Sequence, residues 1–213
     1  QLLKSGFLYI SGRDRNYRPL FCLRSSRILN MNPLPYPEDL ISATVVFFEY
    51  ARKFMQVPGK IENVVIIINS LGGNVFTMPY ALVNKVLGVI TSNYKCVARS
   101  IIVLNAPRAF AYAWKTISYF LDENTARKVQ ISYTPSTPEL LELVAPNQLE
   151  QQYGGQAKDR EAGEFWPPKC PDLDFGAEAG QSEQILDTEM AQKEEEKYQD
   201  LIKDAHDGDP NET

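Results

Sequence analysis

Histidine is nearly missing: the only one among 213 residues is His206, close to the end of the chain. Imidazole acid–base catalysis and Ser-His-Asp or Cys-His arrangements therefore have next to no material. Cysteine is scarce as well. Cys22, Cys96 and Cys170 lie far apart and form no Cys-x-x-Cys pair, which leaves a zinc site without a ligand set. Three scattered thiols point to a reducing compartment rather than a disulfide framework. Long apolar runs are missing too, since residues 64–68 and 101–104 are strand-sized and a membrane span needs about 20. No basic-then-apolar leader opens the chain, and Gln1 stands where a Met is usual, so a portion of something longer is expected. Leu71-Gly72-Gly73 follows a candidate strand, but neither G-x-G-x-x-G spacing nor a G-K-[ST] triplet is there. An α/β enzyme built on a nucleotide turn is thus the weaker reading.

What is there divides by charge. Residues 1–155 carry 16 Lys+Arg against 10 Asp+Glu, whereas residues 156–213 carry 6 against 17. A basic body attracts anionic lipid surfaces or nucleic acid, and an acidic tail repels both. The Lys and Arg are spread along the body rather than clustered with aromatics, so nucleic acid is not an expected partner. Residues 1–155 are expected to be one domain. Residues 156–213 are expected to be an acidic Pro- and Gly-containing extension, partly helical or disordered over 181–204.

Within the body, strand and helix patterns alternate. Residues 7–10 and 20–23 are short apolar strands around a charged turn, and 37–55 is a helix. Residues 61–69 (IENVVIIIN) are rich in β-branched residues without polar alternation, as in a strand covered on both faces. Residues 79–92 place Leu82, Val86, Val89 and Ile90 at helical spacing. Then come a strand at 100–105, a helix at 109–121, a strand at 129–133 and a helix at 137–144. That order predicts an α/β fold with a mainly parallel sheet and right-handed crossovers.

The helix at 109–121 (AFAYAWKTISYFL) is unusually aromatic. Phe110, Trp114, Ile117 and Leu121 share one face, and Tyr112, Ala113 and Phe120 widen it until little polar surface remains. One reading is simple burial between the sheet and its neighbours. The other is a wall over a cavity that opens onto a membrane, with rings meeting acyl chains inside and the bilayer interface outside.

Several pieces resemble one family, in register. Ile101-Ile102-Val103-Leu104-Asn105-Ala106-Pro107, then Phe110, Trp114, Phe120-Leu121-Asp122, Thr125 and Lys128, are similar to the CRAL-TRIO lipid-binding domain of the phosphatidylinositol-transfer type. Asp14 with Arg18-Pro19 resembles its "D-x-x-G-R-P", with Tyr17 at the Gly position. Glu139-Leu140-Leu141, Leu149 and Tyr153-Gly154-Gly155 resemble its closing "E-L-L…L…(F/Y)-G-G". The match covers about residues 12–155. It implies a sheet platform with helices behind, a mobile gate helix at 109–121, and one lipid held between gate and sheet. Phe110, Trp114, Ile117 and Phe120 would then line the apolar pocket.

By the same resemblance Thr125 and Lys128 would hold an inositol phosphate, a hydroxyl donor beside an ammonium. The family's "Y-P-E" carboxylate has no counterpart, because this chain reads Tyr94-Lys95-Cys96. Asn74 and Phe76 stand at the Ser and Thr positions of choline-binding members. The family's small N-terminal helical module has no counterpart in these residues. The expected partners are a phospholipid or similar hydrophobe and a transient membrane surface, with no catalytic residue, metal or cofactor beyond the bound lipid. The expected location is cytoplasmic and peripheral at membranes. A non-exchanging regulatory module remains the alternative.

Overall fold

The computed structural model describes residues 1–73, 76, 79–94, 97–119 and 121–176. Asn74, Lys95, Cys96, Phe120 and the polar stretch at 181–204 lie outside the described residues. Two strands open the sheet: β1 (Leu8–Arg13) and β2 (Pro19–Arg24), antiparallel, with Leu8 opposite Leu23 and Ile10 opposite Phe21. The turn between them is organised by Asp14. Its Oδ1 accepts the amides of Asn16 (2.9 Å) and Arg18 (2.8 Å), and its Oδ2 is 3.2 Å from the Arg18 guanidinium. Tyr17 holds φ at 61° in this turn, the left-handed conformation that explains why glycine is the residue of choice there.

β3 (Val64–Asn69), β4 (Ala98–Leu104) and β5 (Val129–Ile131) continue the sheet in parallel, and the strand order is β1-β2-β3-β4-β5. Each parallel step passes through helices. α1 (Ser25–Leu29) and α2 (Pro37–Phe54) join β2 to β3, and α3 (Tyr80–Asn93) joins β3 to β4. α4 (Phe110–Ser118) and α5 (Glu123–Arg127) lead to β5, and α6 (Pro138–Leu143) follows it. The sheet is therefore the mainly parallel α/β platform expected, with α1 and α5 as additions too short to show a helical period. α2 has Pro37 at its start, Glu38 and Asp39 in the first turn, and Arg52 and Lys53 in the last, each placed to suit the helix ends.

Side chains alternate through the sheet and reach two different environments. On one face Tyr9, Leu20, Val65, Ile67, Ile102 and Leu104 pack against Leu140, Val144, Leu149 and Tyr153. This rear core is solid: Val65, Ile67, Leu140 and Tyr153 are fully buried. α6 is the helix behind the sheet. The two longest helices, α2 and α3, stand on the opposite face with α4.

The domain expected over residues 1–155 lies within a somewhat longer compact unit. The compact unit runs from Gln1 to Gly176. Phe165 is 1% exposed, with its ring 5.1 Å from Tyr9 behind the sheet. Trp166, next in sequence, meets Phe47 and Tyr50 of α2, both at 5.3 Å. Ser11 of β1 pairs with Lys169 as a parallel bridge. Residues 156–176 thus fold over the free edge of β1. Composition hid this, because the Pro and Gly of the stretch resemble those of a linker.

Candidate functional site

Between the sheet and its front helices lies a cavity of about 690 Å³. Its floor is the front face of the strands: Phe21 and Leu23 of β2, Ile66 and Ile68 of β3, and Ile101 and Val103 of β4. Ile66, Ile68 and Ile101 are only half-buried, while their neighbours Val65, Ile67 and Ile102, pointing the other way, are closed off. Strands of equal apolarity therefore pack solidly behind and leave a hollow in front. α2 supplies Leu40, Thr44 and Phe48 to the side wall, and α3 supplies Leu82, Val86 and Ile90. Thr44 turns its hydroxyl to its own helix, donating to the Leu40 carbonyl at 2.8 Å, so it presents its methyl to the space.

α4 closes the remaining side. Phe110, Trp114 and Ile117 face the cavity, joined by Leu121 just past the helix. Phe110 and Ala113 are buried, whereas Trp114 and Ile117 are half-buried. On the outer side two rings are exposed, Tyr112 at 80% and, just past the helix, Tyr119 at 85%. The ends of the hollow are its polar parts. Ser25 and Ser70 mark the end where β2 and β3 finish, and Thr91, Ser92, Asp122, Asn124, Thr125 and Lys128 mark the other.

The two residues expected to grip a phosphate, Thr125 and Lys128, do come together on this second rim, but each has a partner. Asp122 caps α5, accepting the Thr125 amide at 2.9 Å and its hydroxyl at 2.5 Å. These bonds hold the Asp122 carboxyl below the usual aspartate range. The Lys128 ammonium donates to the Ala98 carbonyl at the start of β4, at 2.7 Å. It retains further donors for a second acceptor.

The walls from α2 and α3 were not foreseen as site residues. Their spacing showed an apolar helix face, which is the same whether that face meets a neighbour or a void. Tyr94 was also missed. It stacks on Phe48 with ring centres 4.9 Å apart and donates its hydroxyl to Glu49 at 2.8 Å. Burial and that carboxylate push its phenol up to about 12. Leu71-Gly72-Gly73 does not open a helix, since α3 begins only at Tyr80. A nucleotide turn requires that junction.

Known proteins share this architecture. The model of the CRAL/TRIO domain family matches residues 3–155. The phosphatidylinositol/phosphatidylcholine transfer protein SFH9 of Arabidopsis thaliana is 29% identical over 77 residues, which are 36% of this chain and 13% of that protein. The crystal structure of Sfh5 superposes with a TM-score of 0.65 at 15% identity, covering 76% of this chain and 60% of that one. The chain thus spans a small part of the first relative and three-fifths of the second. At that identity the second likeness concerns the fold.

Proposed function

Since this chain belongs to the CRAL/TRIO domain family, we propose that it holds one phospholipid or similar hydrophobe in the front cavity and transfers or presents it at membranes. One observation carries the reading: α4 separates an apolar hollow from solvent and bears aromatic rings on both sides. Phe110, Trp114 and Ile117 would meet acyl chains, while Tyr112 and Tyr119 would lie in the bilayer interface, where amphipathic rings are favoured. On the roughly 30 Å³ scale of one water molecule, 690 Å³ has room for about twenty methylene-sized groups. At about 0.8 kcal/mol for each buried CH₂ the gross gain is on the order of 16 kcal/mol, before the cost of ordering the ligand. Spontaneous escape of such a ligand is slow, and a wall that opens at a membrane removes the barrier.

The relative named as a phosphatidylinositol/phosphatidylcholine transfer protein supports a phospholipid as the ligand class. For the headgroup, the spare donors of Lys128 suit a phosphate at the rim, whereas the Thr125 hydroxyl gives its one proton to Asp122 and would have to turn from it to reach the same phosphate. No helix among the described residues is long and apolar enough to cross a membrane, which is consistent with a peripheral attachment. Cys22 and Cys170 are free, in keeping with a reducing, cytoplasmic setting. Acid–base chemistry plays no part in the proposed role, which consists of binding and exchange.

Purified protein tests the reading directly. A native mass spectrum and an organic extract are expected to show one lipid per chain. Protein that is empty and takes up no lipid from liposomes overturns it. Stable loading without transfer between vesicles would instead establish the non-exchanging regulatory role.

A further inference from the structure

Two neighbouring strands end alike on the cavity side. Phe21 and Leu23 of β2 are followed along the lining by Ser25, and Ile66 and Ile68 of β3 by Ser70. The strands are parallel and in register, with Leu23 beside Ile68 and Arg24 beside Asn69. Ser25 and Ser70 come next in each strand's chain, so a pair of hydroxyls stands where the apolar floor stops. Ser70 is 6% exposed, and among the described residues neither hydroxyl has a hydrogen-bond partner. A buried hydroxyl left without a partner is costly, and a polar ligand atom between the two serines removes that cost.

The serine end of the hollow is the covered one. The turn at Leu71–Gly73 lies on α1: a Cβ on Gly73 would stand 3.6 Å from the Ser25 Cβ and 3.8 Å from the Leu29 Cδ1. At the opposite rim Ser92, Asp122 and Asn124 are exposed. Charge separates the two ends as well. Asp122 and Lys128 are the only charged side chains among the described residues of the lining, and both belong to the open rim. Arg24 turns to the back of the sheet, where it pairs with Glu150 at 3.1 Å. A phosphate or carboxylate beside Ser25 and Ser70 would therefore be buried without a counter-charge, whereas a hydroxyl or an ester carbonyl needs none. Size narrows the choice further. With room for about twenty methylene-sized groups, the hollow encloses one hydrocarbon chain with its polar end. The two chains of an ordinary phospholipid hold about thirty carbons, so part of such a ligand stays outside.

We infer that Ser25 and Ser70 form a subsite for an uncharged oxygen, and that the ligand this hollow encloses whole is a neutral single-chain lipid. A long-chain alcohol or a monoacylglycerol, bound with its polar end at the two serines, has this chemistry. The inference rests on the proposed lipid-binding role and names a ligand class within it. The phosphate proposed at Lys128 lies at the other end of the hollow and is independent of this subsite.

Three probes of one chain length isolate the oxygen and its charge: hexadecanol, hexadecane and, at pH 8, palmitate. The whole chain, stripped of lipid, is loaded with radiolabelled hexadecanol, and the other two compete for it in gel filtration. Wild type is expected to retain one hexadecanol per chain and to bind it about tenfold more tightly than hexadecane, the ordinary worth of one net hydrogen bond. Palmitate should bind no better than hexadecane. In the double variant Ser25→Ala, Ser70→Ala the preference for hexadecanol over hexadecane should fall from about tenfold to about none. A folding defect weakens both probes and leaves that ratio alone. Equal binding of the two by wild type overturns the subsite, as does a preference that survives the loss of both hydroxyls. Palmitate bound more tightly than hexadecanol overturns its neutral character. Protein that takes up phosphatidylcholine from vesicles but none of the single chains overturns the inference and leaves the lipid-binding role standing. Protein that takes up neither ends both.

Discussion

A methyl group on Gly155 would stand 1.8 Å from the Leu149 carbonyl oxygen, inside any possible contact. The glycine is there because two backbone segments touch, behind the sheet and away from the cavity. Gly154 beside it holds φ at 90°, and Tyr153 before it is fully buried. The Tyr-Gly-Gly motif therefore works for the fold rather than for a ligand. Gly155→Ala is expected to cost on the order of 4 kcal/mol or more, and denaturant titration reads it directly. A loss below about 1 kcal/mol would mean that the 149–155 turn relaxes freely. Tyr94 makes a different kind of prediction. Its phenol is raised to about 12 in the folded protein, against an ordinary value of about 10. Its contribution is complete below pH 10 and is lost as pH climbs towards 12, because the unfolded chain ionises first. The Tm difference between wild type and Tyr94→Phe should shrink over that interval, and a constant difference would show that the phenol titrates normally. At this scale a sequence says little about partners. Thr125 and Lys128 are three positions apart, which places them near one another, but the acceptor of the Lys128 ammonium is Ala98, thirty residues away on β4. No local pattern announces it.

Among the elements, α4 was the most legible. Its spacing marked one broad apolar face, of which Tyr112 in fact points to solvent, and the observed helix spans Phe110–Ser118, shorter than the stretch 109–121 at both ends. The end effects are local: Ala109 keeps helical angles without a capping side chain, and Pro107 precedes it. Trp114→Asp puts a carboxylate into the wall that faces the hollow. Loss of lipid retention is expected, with Tm shifted by no more than a few degrees, because Trp114 is half-buried and the charge stays hydrated when the cavity is empty. Gel filtration with a labelled lipid measures retention, and loading that survives removes α4 from the wall. The rim offers a finer test. Lys128→Ala should lower uptake of phosphatidylinositol from vesicles while sparing other lipids, and an equal loss for every lipid would trace instead to the broken bond at Ala98. α2 and α3 were legible as helices but not as cavity walls. An apolar stripe on a helix reports that the face is hidden from water, and it does so identically over a packed neighbour and over an enclosed space.

For the molecule as a whole, the strap of residues 156–176 sets the limit of the folding unit. Phe165 below the sheet and Trp166 above α2 clamp the edge of β1, and burying two such rings contributes roughly 3–5 kcal/mol. A chain ending at residue 155 should therefore unfold at markedly lower urea than one ending at Gly176, and equal midpoints would show that the strap adds nothing. The succession of strands and helices, the mainly parallel sheet and the aromatic character of the 109–121 segment followed from the sequence alone, since β-branched runs, helical periods and short connections are local or nearest-neighbour properties. Only the tertiary structure decided that the front of the sheet is hollow and the back filled, and which polar groups meet across the strand ends. Both depend on the distance between layers and on residues far apart in the chain. Side chains of the same character line Val65 and Ile67 behind and Ile66 and Ile68 in front, so their chemistry does not distinguish a core from a cavity.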